Sequence, residues 1–230
     1  MKKILKNTLI AIMCVCILIV LAGCGKKVEK TNSDESKKTQ TNTSKIETII
    51  TDEETKVEFS MGEWKGNTYE NSFLGVKFEL PNGWERLDNE QIAEMMNLGN
   101  TIVSNDLNAD IEEIKDLNSA YYMVANDTST GNNITIMSEK PILNVTTGKY
   151  LESLKSGLEQ MTTIKYVIGE TSKETVAGKT YDTLTATATV NGVSLVQKYY
   201  VRKVDNYVLA IIATSITGED GINSMMKSFK

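Results

Sequence analysis

The sequence contains no histidine among its 230 residues. Without an imidazole group the chain cannot form a Ser-His-Asp or Cys-His catalytic site, a histidine metal cluster or a histidine pH switch. Arginine occurs only as Arg86 and Arg202, which are too few and too far apart in sequence to suggest a phosphate clamp, and there is no glycine-rich phosphate loop. These absences predict a protein that is not an enzyme and that has no catalytic, cofactor-binding or metal-binding residues.

Positive charge and cysteine are also scarce. The chain has 25 basic and 30 acidic residues, a formal net charge of −5, whereas a nucleic-acid-binding domain is expected to present a basic surface. We therefore expect no nucleic-acid partner. Cysteine is limited to Cys14, Cys16 and Cys24, so the remainder of the chain has no internal disulfide and depends on a hydrophobic core.

The first 23 residues have the features of a signal peptide. Three lysines precede an almost wholly apolar run over residues 8–20. The run ends in Leu21, Ala22, Gly23 and Cys24, which resembles the lipobox of bacterial lipoproteins. The small residues let the backbone enter the signal peptidase, and the thiol can accept diacylglycerol. The alternative is an uncleaved membrane anchor, but the run is short of the about 20 residues that a spanning helix needs.

The lipobox resemblance implies that cleavage leaves Cys24 as the lipidated first residue of the mature chain. Its two acyl chains would hold the protein on the extracytoplasmic face of the cell membrane. Removal of residues 1–23 takes away Cys14, Cys16 and three lysines, so the formal charge falls from −5 to about −8. Residues 24–60 are rich in Lys, Thr, Ser, Asn and Glu and are predicted to form a disordered tether.

Residues 61–230 are predicted to form one folded domain. The patterns of apolar residues and turns predict strands over residues 62–69, 73–80, 120–125, 133–138, 166–175, 179–190, 193–204 and 207–215. Helices are predicted to open at a capping box of Asp88 and Gln91, over residues 147–161 and over residues 217–230, with a further short helix over residues 111–117. Strand runs joined by hairpins indicate an α+β fold with a single antiparallel sheet of about six strands, sandwiched by helices.

The stretch from Tyr69 to Trp84 carries three short motifs. Tyr69 and Asn71 form a Tyr-x-Asn strand, a Leu-Gly-x-x-Phe strand begins at Leu74, and Pro81 to Trp84 forms a Pro-x-Gly-Trp turn. The stretch resembles the opening of PsbP-like domains, a superfamily that also holds the Ran-binding Mog proteins and the bacterial lipoprotein DcrB. The resemblance implies a binding or assembly factor and carries no catalytic residues over to this chain.

Residues 106–112 offer one pattern of metal ligands. Asp106, Asn108, Asp110 and Glu112 alternate as in the first half of a calcium loop. Ile111 stands where that loop needs glycine, and Leu117 stands where it needs the closing glutamate. We therefore favour a solvated loop that leads into a helix.

Aromatic residues are the remaining candidates for a binding surface. They are Trp64, Trp84, Tyr121, Tyr122, Tyr199 and Tyr200. They either line a ligand groove or pack the sheet. Adjacent tyrosines on a strand point to opposite faces, so the exposed member of each pair is a candidate for contact with a protein partner. The alternative is that both pairs pack under helices on opposite faces.

These features favour a membrane-anchored binding or assembly module with an unidentified protein partner. A solute-capturing lipoprotein is the alternative and would need a deep pocket with converging polar groups. An enzyme is a third possibility, which would show a buried carboxylate or lysine with a shifted pKa in a cleft.

Substitution Cys24→Ala should prevent lipid transfer, because no other cysteine remains after residue 23 to form the thioether. Labelling cells with an alkyne fatty acid measures this directly. The wild-type protein should be labelled and the variant should not, and equal labelling of both would contradict lipidation at Cys24.

Overall fold

The computed structural model describes residues 58–88, 90–92, 119–141 and 145–230. Several predictions lie outside these residues: the signal peptide with Leu21, Ala22, Gly23 and Cys24, the tether up to residue 57, the residues 106–112 pattern and the helix over residues 111–117.

The described part of the chain contains ten strands and two complete helices. The strands are β1 Glu63–Lys65, β2 Thr68–Asn71, β3 Val76–Glu79, β4 Trp84–Arg86, β5 Ser119–Asp127, β6 Asn133–Glu139, β7 Tyr166–Val176, β8 Lys179–Val190, β9 Val193–Val204 and β10 Tyr207–Ser215. The helices are α1 Thr147–Glu159 and α2 Glu219–Met226. In the described part, neither helix has the length and apolar character needed to cross a membrane.

Seven strands form the main sheet in the order β4-β5-β6-β10-β9-β8-β7, and every pair is antiparallel. The α+β class and the antiparallel sheet are therefore confirmed. The prediction of a single sheet is wrong, because β1, β2 and β3 form a separate three-stranded sheet. The strand predicted over residues 62–69 is broken by a tight turn at Gly66, where φ is +61°, so that Lys65 pairs with Thr68.

The hairpins among β7 to β10 follow from turn chemistry. Ala177, Asn191 and Asp205 occupy the three predicted joints with φ of 47°, 52° and 50°. Gly178 and Gly192 follow the first two with φ of 74° and 80°. Two consecutive residues with positive φ give the turn whose twist matches the flanking strands, and the predicted hairpins are confirmed.

The helix caps also form between residues that are close in sequence. Asp88 and Gln91 form the predicted capping box, in which each backbone N–H donates to the other side chain at 2.9 and 2.8 Å. Residues 90–92 are helical, and the continuation lies outside the described residues. Thr146 caps α1 by accepting from the Lys149 N–H at 3.3 Å.

Both faces of the central strands of the main sheet are covered. One face packs against the inward stripe of α1, which consists of Tyr150, Leu151, Leu154 and Leu158. The other face packs against the small sheet and α2. The predicted sandwich is thus confirmed, with the small sheet taking part of the place of a helix.

The small sheet is held to the main sheet by two cations on neighbouring strands. The guanidinium of Arg202 donates to the Leu74 carbonyl, and the ammonium of Lys179 donates to the Gly75 carbonyl. Gly75 has a φ of +59°, and a Cβ there would lie 2.7 Å from Lys179 Nζ. Only glycine fits this turn between β2 and β3 without displacing the lysine.

The Tyr-x-Asn motif fixes the entry of the chain into the domain. Tyr69 Oη donates to the Met61 carbonyl at 2.7 Å, and Asn71 Nδ2 donates to the Ser60 carbonyl at 2.9 Å. Asn71 Oδ1 accepts from the Leu74 N–H at 2.8 Å. The motif therefore has a structural role, since both side chains are buried and saturate backbone groups.

The predicted helix over residues 217–230 ends at Met226, because the chain turns to extend the small sheet. Phe229 forms an antiparallel bridge with Phe78, and their ring centroids lie 5.2 Å apart. The Lys230 N–H donates to the Lys77 carbonyl at 3.0 Å, and the Glu79 N–H donates to the Ser228 carbonyl at 2.9 Å.

Substitution Phe229→Ala should lower the free energy of unfolding by about 3 kcal/mol, because it leaves a cavity against Phe78 in the core. Urea denaturation measures the change. Lys230→Ala is the matched control, since it removes only two exposed contacts, an ion pair with Glu79 at 3.3 Å and a hydrogen bond to the Lys227 carbonyl at 3.2 Å, and should change stability by less than about 1 kcal/mol. Equal effects of the two substitutions would contradict this packing role.

Candidate functional site

An open groove of about 410 Å³ lies where the β5–β6 turn, the start of β4 and α2 meet. Its described lining consists of Pro81, Trp84, Asp127, Thr130, Asn132, Thr217, Asp220, Gly221, Ser224, Met225 and Ser228. The volume lies within the range of small-molecule sites. Most of the lining side chains are polar, and none of the described ones is basic.

Asp127, the last residue of β5, organises the polar side of the groove. One carboxylate oxygen accepts from the Ser129 N–H at 2.8 Å and from the Ser129 hydroxyl at 2.6 Å, and the other accepts from the Thr130 hydroxyl at 2.7 Å. Partial burial raises the pKa of Asp127, but these hydrogen bonds outweigh burial and lower the pKa below its usual value. The carboxylate is therefore ionised and a weak base.

Asn132 connects the turn to the segment that leads into α2. Its Oδ1 accepts from the Ile216 N–H at 2.9 Å, and its Nδ2 donates to the Thr217 hydroxyl at 3.3 Å. Its own N–H donates to the Thr130 hydroxyl at 3.2 Å. Because Asn132 is buried, these bonds fix one side of the groove relative to the other.

The close approach of α2 to the end of β10 depends on Gly221. A Cβ at this position would lie 2.1 Å from the Ser215 hydroxyl oxygen and 2.3 Å from that of Thr217. These two hydroxyls lie 3.0 Å apart and hydrogen bond to each other. A larger residue would push α2 away and change the shape of the groove.

Trp84 supplies the apolar part of the groove together with Pro81 and Met225. It pairs with Asp127 across the β4–β5 ladder, so the indole and the carboxylate lie side by side on one face. Trp84 is half-buried. The groove therefore combines a flat aromatic surface with carboxylate, amide and hydroxyl groups.

The tyrosine pairs occupy other places. Tyr122 and Tyr200 pack on the face under the small sheet, and Tyr121 and Tyr199 pack on the α1 face. The placement on opposite faces is confirmed. The expectation of an exposed ring in each pair is wrong: Tyr122, Tyr199 and Tyr200 are 7%, 1% and 1% exposed, and Tyr121 is half-buried. Because both faces of the sheet are covered, the packing alternative holds.

Of the six aromatic candidates, only Trp84 is among the described lining residues of the groove. Trp64 packs against Tyr69 at 5.5 Å and lies under the Arg86 guanidinium at 4.9 Å. The sequence predicts a connection between the strands over residues 120–125 and 133–138, but it does not identify Asp127 or Asn132 as site residues. Their concentration of carboxylate, amide and hydroxyl groups beside a turn was the available signal.

A buried carboxylate does occur, but on the opposite face of the sheet. Glu139 ends β6, is 8% exposed, and burial raises its pKa to about 7, while a hydrogen bond with Tyr150 of α1 lowers it. One of its oxygens has no hydrogen-bond partner within the described structure. Glu139 does not line the groove, so it is not a carboxylate with a shifted pKa in this cleft.

Metal ligands do not cluster in the part of the chain that the structure describes. No group of three or more Cys, Asp or Glu residues there lies close enough to hold an ion. Asp127 and Asp220, the two carboxylates of the groove, therefore lack a third such ligand within the described lining.

Comparisons with known proteins concern the fold. The chain matches no family model and no curated protein. It is similar to the crystal structure of LpqN, which is involved in cell envelope biogenesis of Mycobacterium tuberculosis, with 15% identity, a TM-score of 0.40, and coverage of 67% of this chain and 82% of that chain. It is also similar to the solution structure of cyanobacterial PsbP from Synechocystis sp. PCC 6803, with 13% identity, a TM-score of 0.43, and coverage of 71% and 90%.

A PsbP structure is thus among the structural neighbours. Similarity at these identities concerns the arrangement of strands and helices. It says nothing about the partner or the ligand of this chain.

The stability of the protein should fall as the pH rises from about 5 to 8 because of Glu139. Its folded pKa of about 7 exceeds the ordinary value of 4.5, so the folded state holds a proton that the unfolded state releases. The full loss, reached above pH 7, is on the order of 3 kcal/mol. Substitution Glu139→Gln should remove this dependence.

Urea denaturation at pH 5 and pH 8 checks the effect. Glu85→Gln, at an exposed position on β4, is the control and should retain the dependence of the wild-type protein. If Glu139→Gln retained it as well, Glu139 would not be its source.

Proposed function

We propose that this protein is a lipid-anchored, non-catalytic binding module of the extracytoplasmic face of the cell membrane, and that it engages its target at the Trp84 groove. The observation that carries the proposal is the composition of the groove. It places a half-buried indole beside polar groups that are held in position by one another. Such a preformed surface of aromatic and fixed polar groups is typical of binding sites.

The hydrogen bonds of the groove favour binding over catalysis. The hydroxyls of Ser129 and Thr130 donate to a carboxylate whose pKa is lowered, so this carboxylate is a poor general base for activating them. No lysine is among the described lining residues that could act as the base for Ser224 or Ser228. The chain has no histidine at all.

The lipid anchor and the tether complete the proposal. About 35 residues between Cys24 and the domain reach about 30–35 Å if they form a random coil. Phe59 is the first aromatic residue to pack on the domain, with its ring 5.2 Å from that of Phe73. The domain would therefore lie beyond the lipid head groups, with the groove accessible to wall components and neighbouring proteins.

Substitution Ser224→Trp should block the groove without disturbing the core, because Ser224 is an exposed lining residue on α2. Asn223→Trp is the matched control, since Asn223 is its exposed neighbour outside the described lining. Photo-cross-linking of the full lipidated protein in intact cells, with a diazirine reagent that inserts into C–H and O–H bonds, measures engagement of protein and saccharide targets alike. Wild-type protein and Asn223→Trp should give the same cross-linked species, and Ser224→Trp should lose it.

Equal melting temperatures for the three proteins would show that the loss is not caused by unfolding. Retention of the cross-linked species by Ser224→Trp would contradict the groove as the binding site. Turnover of a peptide, ester or phosphate substrate by the purified, metal-free protein would contradict the non-catalytic role.

A further inference from the structure

We infer that the ligand of the Trp84 groove is a neutral saccharide chain. This inference rests on the proposed function and names the class of ligand that the same groove takes. Three properties of the groove lead to it: the state of its charges, the kinds of polar atom it offers, and its open shape beside an aromatic ring.

The charges of the groove disfavour an anionic ligand and do not require a cationic one. Its two described carboxylates are Asp127 and Asp220, and no basic side chain is among the described lining residues. A phosphate or carboxylate ligand would meet repulsion without a compensating cation. Asp127 already accepts three hydrogen bonds. Asp220 lies in the first turn of α2, where the positive end of the helix dipole stabilises it.

The polar atoms of the groove match hydroxyl groups. Carboxylates only accept hydrogen bonds, whereas the hydroxyls of Ser224 and Ser228 both accept and donate. Asp127 is already bonded to the side chains and backbone of Ser129 and Thr130, and Asp220 is the other carboxylate acceptor among the described lining residues. Each hydroxyl of a sugar is itself a donor and an acceptor, so a neutral polyol can satisfy both kinds of group without introducing charge.

The apolar part of the groove matches the apolar faces of a sugar ring. A pyranose has hydroxyls around its rim and C–H groups on its faces, and the C–H groups pack on a flat aromatic surface. Trp84, which also packs against the core, lines the groove beside Asp127, and Pro81 and Met225 extend this apolar part of the lining. A ligand that was polar all round would leave this surface unused, and a wholly apolar ligand would leave the polar groups unpaired.

The groove is open to solvent, so part of a bound ligand can remain outside it. A small solute would be only partly enclosed, although ligand pockets for small molecules bury most of the ligand surface. Shape therefore favours one or two units of a longer saccharide over a free monosaccharide.

The chain provides its own reporter, because Trp64 and Trp84 are its only tryptophans. In the full-length lipidated protein in detergent, Trp64→Phe leaves Trp84 as the sole indole, and Trp84→Phe leaves Trp64. Chitohexaose and maltohexaose are two neutral probes with different linkages. We expect at least one of them to change the fluorescence of Trp64→Phe saturably and to leave that of Trp84→Phe unchanged.

Calorimetric titration of the same probe then locates the site. Ser224→Trp should weaken binding by at least about tenfold, and Asn223→Trp should leave the Kd unchanged. Absence of saturable binding by both saccharides, or equal Kd values for Ser224→Trp and the wild-type protein, would overturn the inference.

A lysine-rich peptide serves as the competing ligand class. If that peptide bound saturably at Trp84 and the saccharides did not, the ligand class would be wrong while the groove remained a binding site. If Ser224→Trp retained the cross-linked species in cells, the proposed function itself would fail. The two failures are therefore distinguishable.

Discussion

Strand β10 is buried along all nine of its residues, and the rest of the domain is built on its two faces and two edges. Leu209 and Ile211 face the small sheet, while Val208 and Ile212 face α1. Its edges pair with β6 and β9, which joins the β4–β6 half of the main sheet to the β7–β9 half. In many antiparallel sheets one face is exposed to solvent, so that a strand is buried on one face only. Strand β10 is buried on both faces, and each face is therefore covered by another element.

The groove is a consequence of how β10 ends. Ser215 lies at its last position, and its hydroxyl contacts Thr217 just before α2 begins. Asn132 holds this segment against the turn that precedes β6, the strand next to β10. The same pairing that builds the core thus brings Asp127 and Trp84 to the side of α2. The site is rigid because its polar residues are bonded to backbone and to one another, and it needs no separate scaffold.

Local signals in the sequence were sufficient for turns, caps and single elements. Asn191-Gly192 and the capping box of Asp88 were identified because each depends only on neighbouring residues. The exposure of Tyr121 and Tyr199 could not be read in this way, since it depends on which elements cover each face. The groove was missed for the same reason: Asp127 and Asp220 are far apart in sequence, and only the strand register and the close approach at Gly221 bring them together. The sequence identifies Trp84 as an aromatic candidate, but it does not show which residues lie beside it.

The link from Arg202 to Leu74 spans 128 residues of sequence, and it has a consequence for how the domain forms. The small sheet completes its contacts only after β8, β9 and the C-terminal residues have been synthesised, because Lys179, Arg202 and Phe229 all bind it. Contacts that distant in sequence form slowly, because the entropy of closing the intervening chain must be overcome first. In the exported protein that we propose, this delay would keep the early strands unfolded during passage through a translocation channel. The contacts that hold the small sheet in place would then also determine when the domain completes its folding.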